Sequence, residues 1–262
     1  MELEKIIISV IDISKQAGSF IREQRKTFSA DKIELKGLND LVSYVDKTAE
    51  EIIVKALAEV LPEAGFITEE KTINKTGERY NWIIDPLDGT TNFIHGLPVY
   101  SVSIALQEYD ELVLGVVYEV NMDECFYAWK GSPAYLNSNI IKASNTPTIA
   151  QSLLATGFPY YDFTKQAAYI SLFTELMKSC HGLRRMGSAA VDLAYTACGR
   201  FDAFYEYNLN PWDVAAGVLI VRQAGGQVVN FNGGEEVLQS RELLATNGKI
   251  TAEMLDAIKN YF

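Results

Sequence analysis

Trp82-Ile83-Ile84-Asp85-Pro86-Leu87-Asp88-Gly89-Thr90-Thr91-Asn92-Phe93 runs from an apolar strand into two acidic residues and a glycine turn. Trp82, Ile83 and Ile84 have strand character. Pro86 stops the ladder because it lacks a backbone donor, so Asp85 and Asp88 are expected to converge beyond the strand end. Two clustered carboxylates with no basic neighbour need a cation between them, and oxygen ligands favour magnesium or manganese. Gly89 permits a tight turn. The amides of Gly89, Thr90 and Thr91 then open a short helix whose N-terminus can accept a phosphate. Taken alone, Asp88-Gly89 would be an ordinary surface turn; the length of the run around it favours chemistry.

Working outward, Leu3, Ile6, Ile7, Val10, Ala17, Phe20 and Ile21 recur at helical spacing and predict a long amphipathic opening helix. A loop containing Gly37, Asn39 and Asp40 precedes a second helix over 42–60, closed by Pro62. Strands are expected at 65–68, 82–85, 101–107, 112–118 and 124–129, the last three forming an antiparallel meander. Beyond residue 150 the pattern becomes mixed. Strands are expected at 153–156, 203–207, 227–229 and 243–246, and helices at 163–178, 188–199, 212–224 and 250–261. That alternation predicts a sheet covered by helices on its faces. Residues 1–140 and 141–262 are expected to form two halves of one functional unit, with the site in the crevice between them.

Composition narrows the function. A chain of 262 residues, 48% hydrophobic and 22% charged, has the make-up of a globular α/β protein with a large core. Its formal net charge of −11 repels nucleic acid and anionic lipid, which excludes both as attractive partners. The same charge repels a phosphorylated substrate, so phosphate chemistry here needs local positive charge, and metal ions are the evident source. Cys125, Cys180 and Cys198 have no paired spacing and read as reduced thiols of a cytoplasmic protein. No stretch has signal-peptide or membrane-spanning character. His95 and His181 have no zinc-like spacing.

The segment Asp85 to Phe93 resembles the first signature of the inositol monophosphatase family. Trp212-Asp213-Val214-Ala215-Ala216-Gly217, continuing to Ala224-Gly225-Gly226, resembles its second. The likeness also takes in Asp40-Leu41-Val42 with Asp46, Glu69-Glu70, Ala155-Thr156-Gly157-Phe158-Pro159-Tyr160 and Gly187-Ser188-Ala189. Two long signatures in order form a specific pattern. The resemblance implies a layered α-β-α-β-α sandwich, one half with an antiparallel sheet and the other with a mixed sheet. It also implies a homodimer, dependence on two to three Mg2+ per site, and inhibition by lithium.

The resemblance carries roles onto individual residues. Glu69, Asp85 and the carbonyl of Leu87 match ligands of a first magnesium, and Asp85, Asp88 and Asp213 those of a second. A third, weaker ion also touches Glu69. Thr90 and Asp46, with Glu69, match the group that activates the attacking water. The amides of Gly89 and Thr90 hold the phosphate, while Asp88, Ala189, Glu206 and Asp213 contact the polyol. Lys36 matches a basic residue near the third ion. Thr68 and Ser188 stand where many members have glycine and threonine.

Plainer roles compete at several positions. Glu69-Glu70 also fits a solvated loop, Asp46 a helix cap, and Arg184-Arg185 an exposed loop or subunit contact. Asp213 starts a helix beside bulky Trp212, where a buried carboxylate needs a counterion. Glu206 is a lone carboxylate in an aromatic strand. The expected function is hydrolysis of a small-polyol phosphate, myo-inositol monophosphate first. Fructose 1,6-bisphosphate, a nucleotide 3′-phosphate and a non-catalytic metal-binding role are the alternatives.

Overall fold

The computed structural model describes residues 2–29, 33–37, 40–159 and 162–262. Asn39 and Tyr160 lie outside the described residues, as do the side chains of Lys36, Asp40, Leu41 and Val42. Helix α1 (Leu3–Thr27) buries Ile7, Val10, Ala17 and Ile21 along the stripe its periodicity predicts. Where the spacing predicted a loop, the backbone forms a hairpin of β1 (Ile33–Gly37) and β2 (Asp40–Ser43). Helix α2 (Tyr44–Val60) therefore starts two residues later than expected. Ser43 sets the start: its Oγ accepts from Val45 N, while Asp46 reaches back to its amide in a capping box.

A seven-stranded sheet follows. In spatial order it comprises β3 (Gly65–Thr68), β4 (Tyr80–Asp88), β5 (Ser101–Glu108), β6 (Glu111–Glu119), β7 (Glu124–Trp129), β8 (Ala134–Leu136) and β9 (Asn139–Ile141). Only β3 and β4 pair in parallel; the rest are antiparallel, as the meander predicted. Helix α3 (Thr90–His95) lies between β4 and β5 in the chain.

The remaining elements are β10 (Leu153–Thr156), α4 (Gln166–Ser179), β11 (Gly182–Arg184), α5 (Ala189–Ala197), β12 (Ala203–Tyr207), α6 (Pro211–Gln223), β13 (Gln227–Val229), α7 (Val237–Ser240), β14 (Glu242–Thr246) and α8 (Thr251–Lys259). Their five strands run in the order β11-β10-β12-β14-β13. The sheet is mixed: β10 pairs in parallel with β11 and β12, while β14 pairs antiparallel with β12 and β13.

Period-two alternation explains the layers. Trp82 and Ile84 face α1 and α2, whereas Ile83 between them faces Leu193, Val214 and Val218 of α5 and α6. In the second sheet, Phe204 turns inward to that same middle layer. Its neighbours Ala203 and Tyr205 turn outward to Tyr169 and Leu172 of α4 and Met254 and Ile258 of α8. Both sheets are thus buried on both faces, which is why their strands read as nearly continuous apolar runs. The outcome is the α-β-α-β-α sandwich.

Candidate active site

The site is built where β4 departs from regular pairing. Contrary to expectation, Pro86 does not end the strand; β4 continues to Asp88. Asp85 pairs with Ser103 and Asp88 with Ser101, so three steps on β4 match two on β5. In a regular strand, residues three apart point to opposite faces. The extra residue of this β-bulge restores the phase, and both aspartates project to one side. Pro86 suits the bulge because it has no ladder donor to lose. Leu87 N donates to Asp85 Oδ1 at 2.9 Å and closes the kink. Gly89 then takes φ +97°, and a Cβ there would lie 3.0 Å from Val99 O. Both conformation and space require glycine.

A cavity of about 370 Å³ opens at this bend. Glu69, Asp85, Leu87, Asp88, Gly89 and Thr90 line it from the first sheet, and Ala189, Glu206 and Asp213 line it from the second sheet and its helices. The structure thus brings together every substrate and metal candidate. Asp46 sits behind this wall, 1% exposed. It accepts Thr90 Oγ1 at 2.8 Å while also capping α2, so the rival capping role and the contact to the site coexist in one carboxylate. Thr90 Oγ1 lies within 3.0 Å of Leu87 O as well.

Helix starts hold the other acids. Asp88 Oδ2 accepts Ser188 Oγ at 2.6 Å and Ala190 N at 2.7 Å at the head of α5. Ser188 thereby keeps the hydroxyl that threonine would supply. Asp213 is the third residue of α6 and accepts Asn210 N at 2.6 Å in a capping box, with Pro211 pre-set for the first turn. Glu206 projects from β12 past Gly157, where a Cβ would come within 2.0 Å of its Oε2.

Electrostatics tie these groups together. Burial, then the charges of Glu69, Asp88 and Asp213, push the Asp85 carboxyl well above the usual carboxylate range. Asp88 is raised to about 6 by burial, despite its hydrogen bonds, and Glu206 to about 8 by burial, with Arg185 acting in the opposite direction. Asp88 and Asp213 keep some surface on the cavity wall, but desolvation is still the leading cause of their shifts. Among the described residues, no three Asp, Glu, His or Cys side chains already close into a ligand cluster. The donor set nevertheless fits a hard cation: Asp85 is destabilised by three acids around it, all oxygen donors, and positive charge relieves that directly.

Several features were not legible. Glu50, fully buried on α2, grips the loop after Glu69 by accepting Glu70 N and Thr72 N at 2.8 Å each. Its i, i+4 spacing from Asp46 was the available signal that both face one way. Lys71 and Asp192 also line the cavity, and Asp192 Oδ1 is buried without a hydrogen-bond partner among the described residues. The same holds for Thr68 Oγ1. The two arginines separate: both are exposed, but Arg185 lines the cavity, whereas Arg184 donates to Leu183 O. His95 and His181 lie outside it, both exposed.

An α-β-α-β-α sandwich with an acid-lined pocket between its sheets is the architecture of a metal-dependent phosphatase. Residues 2–261 match the inositol monophosphatase family, and the chain belongs to it. It is 38% identical to the inositol-1-monophosphatase of Mesorhizobium japonicum, covering 87% of this chain and 86% of that one. It is 40% identical to the Nus factor SuhB of Escherichia coli K12, covering 92% and 91%. The crystal structure of extragenic suppressor protein suhB from Bartonella henselae superposes with a TM-score of 0.92 at 36% identity, covering 98% of this chain and all of the other. No helix among the described residues is long and apolar enough to cross a membrane.

Proposed function

We propose that this chain hydrolyses a phosphate monoester of a small polyol, with myo-inositol monophosphate the preferred substrate. The observation that carries the proposal is one cavity that combines an acid cluster with the head of a short helix. Glu69, Asp85, Asp88, Asp213 and Glu206 share its wall with the Gly89–Thr91 turn and Ala189. Glu69, Asp85, Asp88, Asp213 and the carbonyl of Leu87 would hold two to three magnesium ions, with manganese an alternative. Bound there, the metal would neutralise phosphate charge, activate water and stabilise the departing alkoxide.

The chain's own residues do the positioning. Thr90 Oγ1, aligned by Asp46, orients the attacking water together with Glu69. The amides of Gly89 and Thr90 precede the first intrahelical bond, from Phe93 N to Gly89 O, and so face the phosphate unpaired within the helix. Glu206 and Asp213 meet the polyol hydroxyls, and Glu206, once positive charge bound nearby draws off its proton, would repel a second phosphate. Arg185 favours the rival substrate, fructose 1,6-bisphosphate, because it lines the same cavity. A homodimer in the cytoplasm completes the proposal, supported by three unpaired thiols and the exposed apolar side chains Ile170 and Met177 of α4.

Phosphate release over a panel of polyol, sugar and nucleotide phosphates, with and without chelator, tests this. Inositol monophosphate should have the highest kcat/KM, and Glu206→Gln should lower it and narrow the gap to the bisphosphate. A parent enzyme that favours the bisphosphate by tenfold, about 1.4 kcal/mol, overturns the substrate assignment. Turnover in excess chelator overturns the mechanism. No turnover with any cation would leave the non-catalytic role.

A further inference from the structure

Glu69 lies just past the end of β3, on a connection that runs to β4 without regular structure. Its own amide donates to Ile84 O at 3.2 Å, which fixes the near side of the connection to β4. The far side has no apolar anchor at residues 71 and 72: Lys71 and Thr72 are both exposed, and Lys71 takes φ +55°. Ile73 packs against the core one residue further on, and between it and Glu69 the holder is Glu50. Its carboxylate is fully buried and accepts three hydrogen bonds, from Glu70 N (2.8 Å), Thr72 N (2.8 Å) and Thr72 Oγ1 (2.7 Å). All three go to the segment that immediately follows Glu69.

One turn earlier on the same helix, Asp46 accepts Thr90 Oγ1. Helix α2 therefore presents two carboxylates on one face. Asp46 holds the turn that follows Asp85 and Asp88; Glu50 holds the connection that carries Glu69. We propose that Glu50 is a positioning residue that keeps the Glu69 carboxylate facing Asp85 and so sets the affinity of the cavity for a divalent cation. This rests on the proposed metal-dependent reading of the site. The geometry separates the role from simple support of the fold. The three bonds bind no strand or core side chain, only a surface connection whose one member in the cavity's acid cluster is Glu69.

Glu50→Gln tests it. The amide keeps the shape, but its NH2 would face amide donors, so the grip on residues 70 and 72 loosens. Metal-free protein titrated with Mn2+ and followed by electron paramagnetic resonance should show about a tenfold weaker Kd for the variant, about 1.4 kcal/mol. Exchange of the Glu70 and Thr72 amides should accelerate, and the magnesium needed for half-maximal turnover should rise while KM for substrate at saturating magnesium stays within about twofold. Thr72→Val removes one of the three bonds at an exposed position and should give a smaller loss of the same kind, about threefold; it reports even if Glu50→Gln does not fold. Mn2+ affinity unchanged in the folded variants overturns the proposal. Asp85→Asn is the control. If it too binds Mn2+ like the parent, the metal reading of the cavity falls, and the Glu50 role with it. If it loses Mn2+ while Glu50→Gln and Thr72→Val do not, only the Glu50 role falls.

Discussion

Replacing Asp85 by asparagine should destroy activity and yet stabilise the metal-free protein. Asp85 is 2% exposed, and burial followed by the charges of Glu69, Asp88 and Asp213 raises its carboxyl well above the usual range. Asparagine keeps an Oδ1 to accept the Leu87 amide, now at 2.9 Å, and removes one ionisable group from the four. Relief of the desolvation and like-charge crowding of such a buried carboxyl amounts to about 1–3 kcal/mol. At about 2–4 °C per kcal/mol for a chain of this size, the melting temperature in chelator should rise by roughly 3–10 °C.

The pH dependence has a definite sign. A carboxyl raised in the folded state binds its proton longer than the unfolded one does, near pH 3.9. The stability it contributes is therefore fully present below that pH and lost as pH rises toward the folded value. In chelator the parent should lose stability over that rise, and Asp85→Asn should lose less. Added magnesium should then stabilise the parent by mass action and leave the variant nearly unmoved. Calorimetry at several pH values, with chelator and with magnesium, measures all of this. A variant that melts below the parent in chelator would refute the idea that these acids strain the empty site.

Thr90→Ala removes the hydroxyl shared by Asp46 Oδ1 and Leu87 O; kcat should drop by roughly 100-fold or more with little change in KM, and Thr90→Ser should restore most of it. A change confined to KM would end the water-orienting role. Gly157→Ala would put a Cβ 2.0 Å from Glu206 Oε2, so Glu206 must swing away. KM for the inositol substrate should rise about tenfold, at an overpacking cost of about 1–3 kcal/mol; an unchanged KM would remove Glu206 from the polyol site. Burial pushes the Cys125 thiol up to about 12, so it is a neutral thiol at pH 8. It should resist iodoacetamide in the native protein and react once unfolded; native labelling at the rate of a free thiol would contradict its buried place.

Much of this protein is legible in one dimension because the controlling physics is local. The period of Ile7, Val10, Ala17 and Ile21 dictates a helix stripe, and unbroken apolar strands such as Trp82–Ile83–Ile84 announce sheets buried on both faces. The two signatures also name three of the acids that meet in the cavity, Asp85, Asp88 and Asp213. Tertiary structure alone decided how they meet. Asp85 and Asp88 share a face only because β5 supplies two residues against their three, a register that no window of β4 contains. The two arginines part because only Arg185 lines the cavity. Glu50 gains its partners only because Glu70 and Thr72 fold back onto it. Helical and strand periods are set within a few residues by backbone sterics. The partners of a buried carboxylate are set by whichever distant segment packs against it, and that is information the chain acquires only on folding.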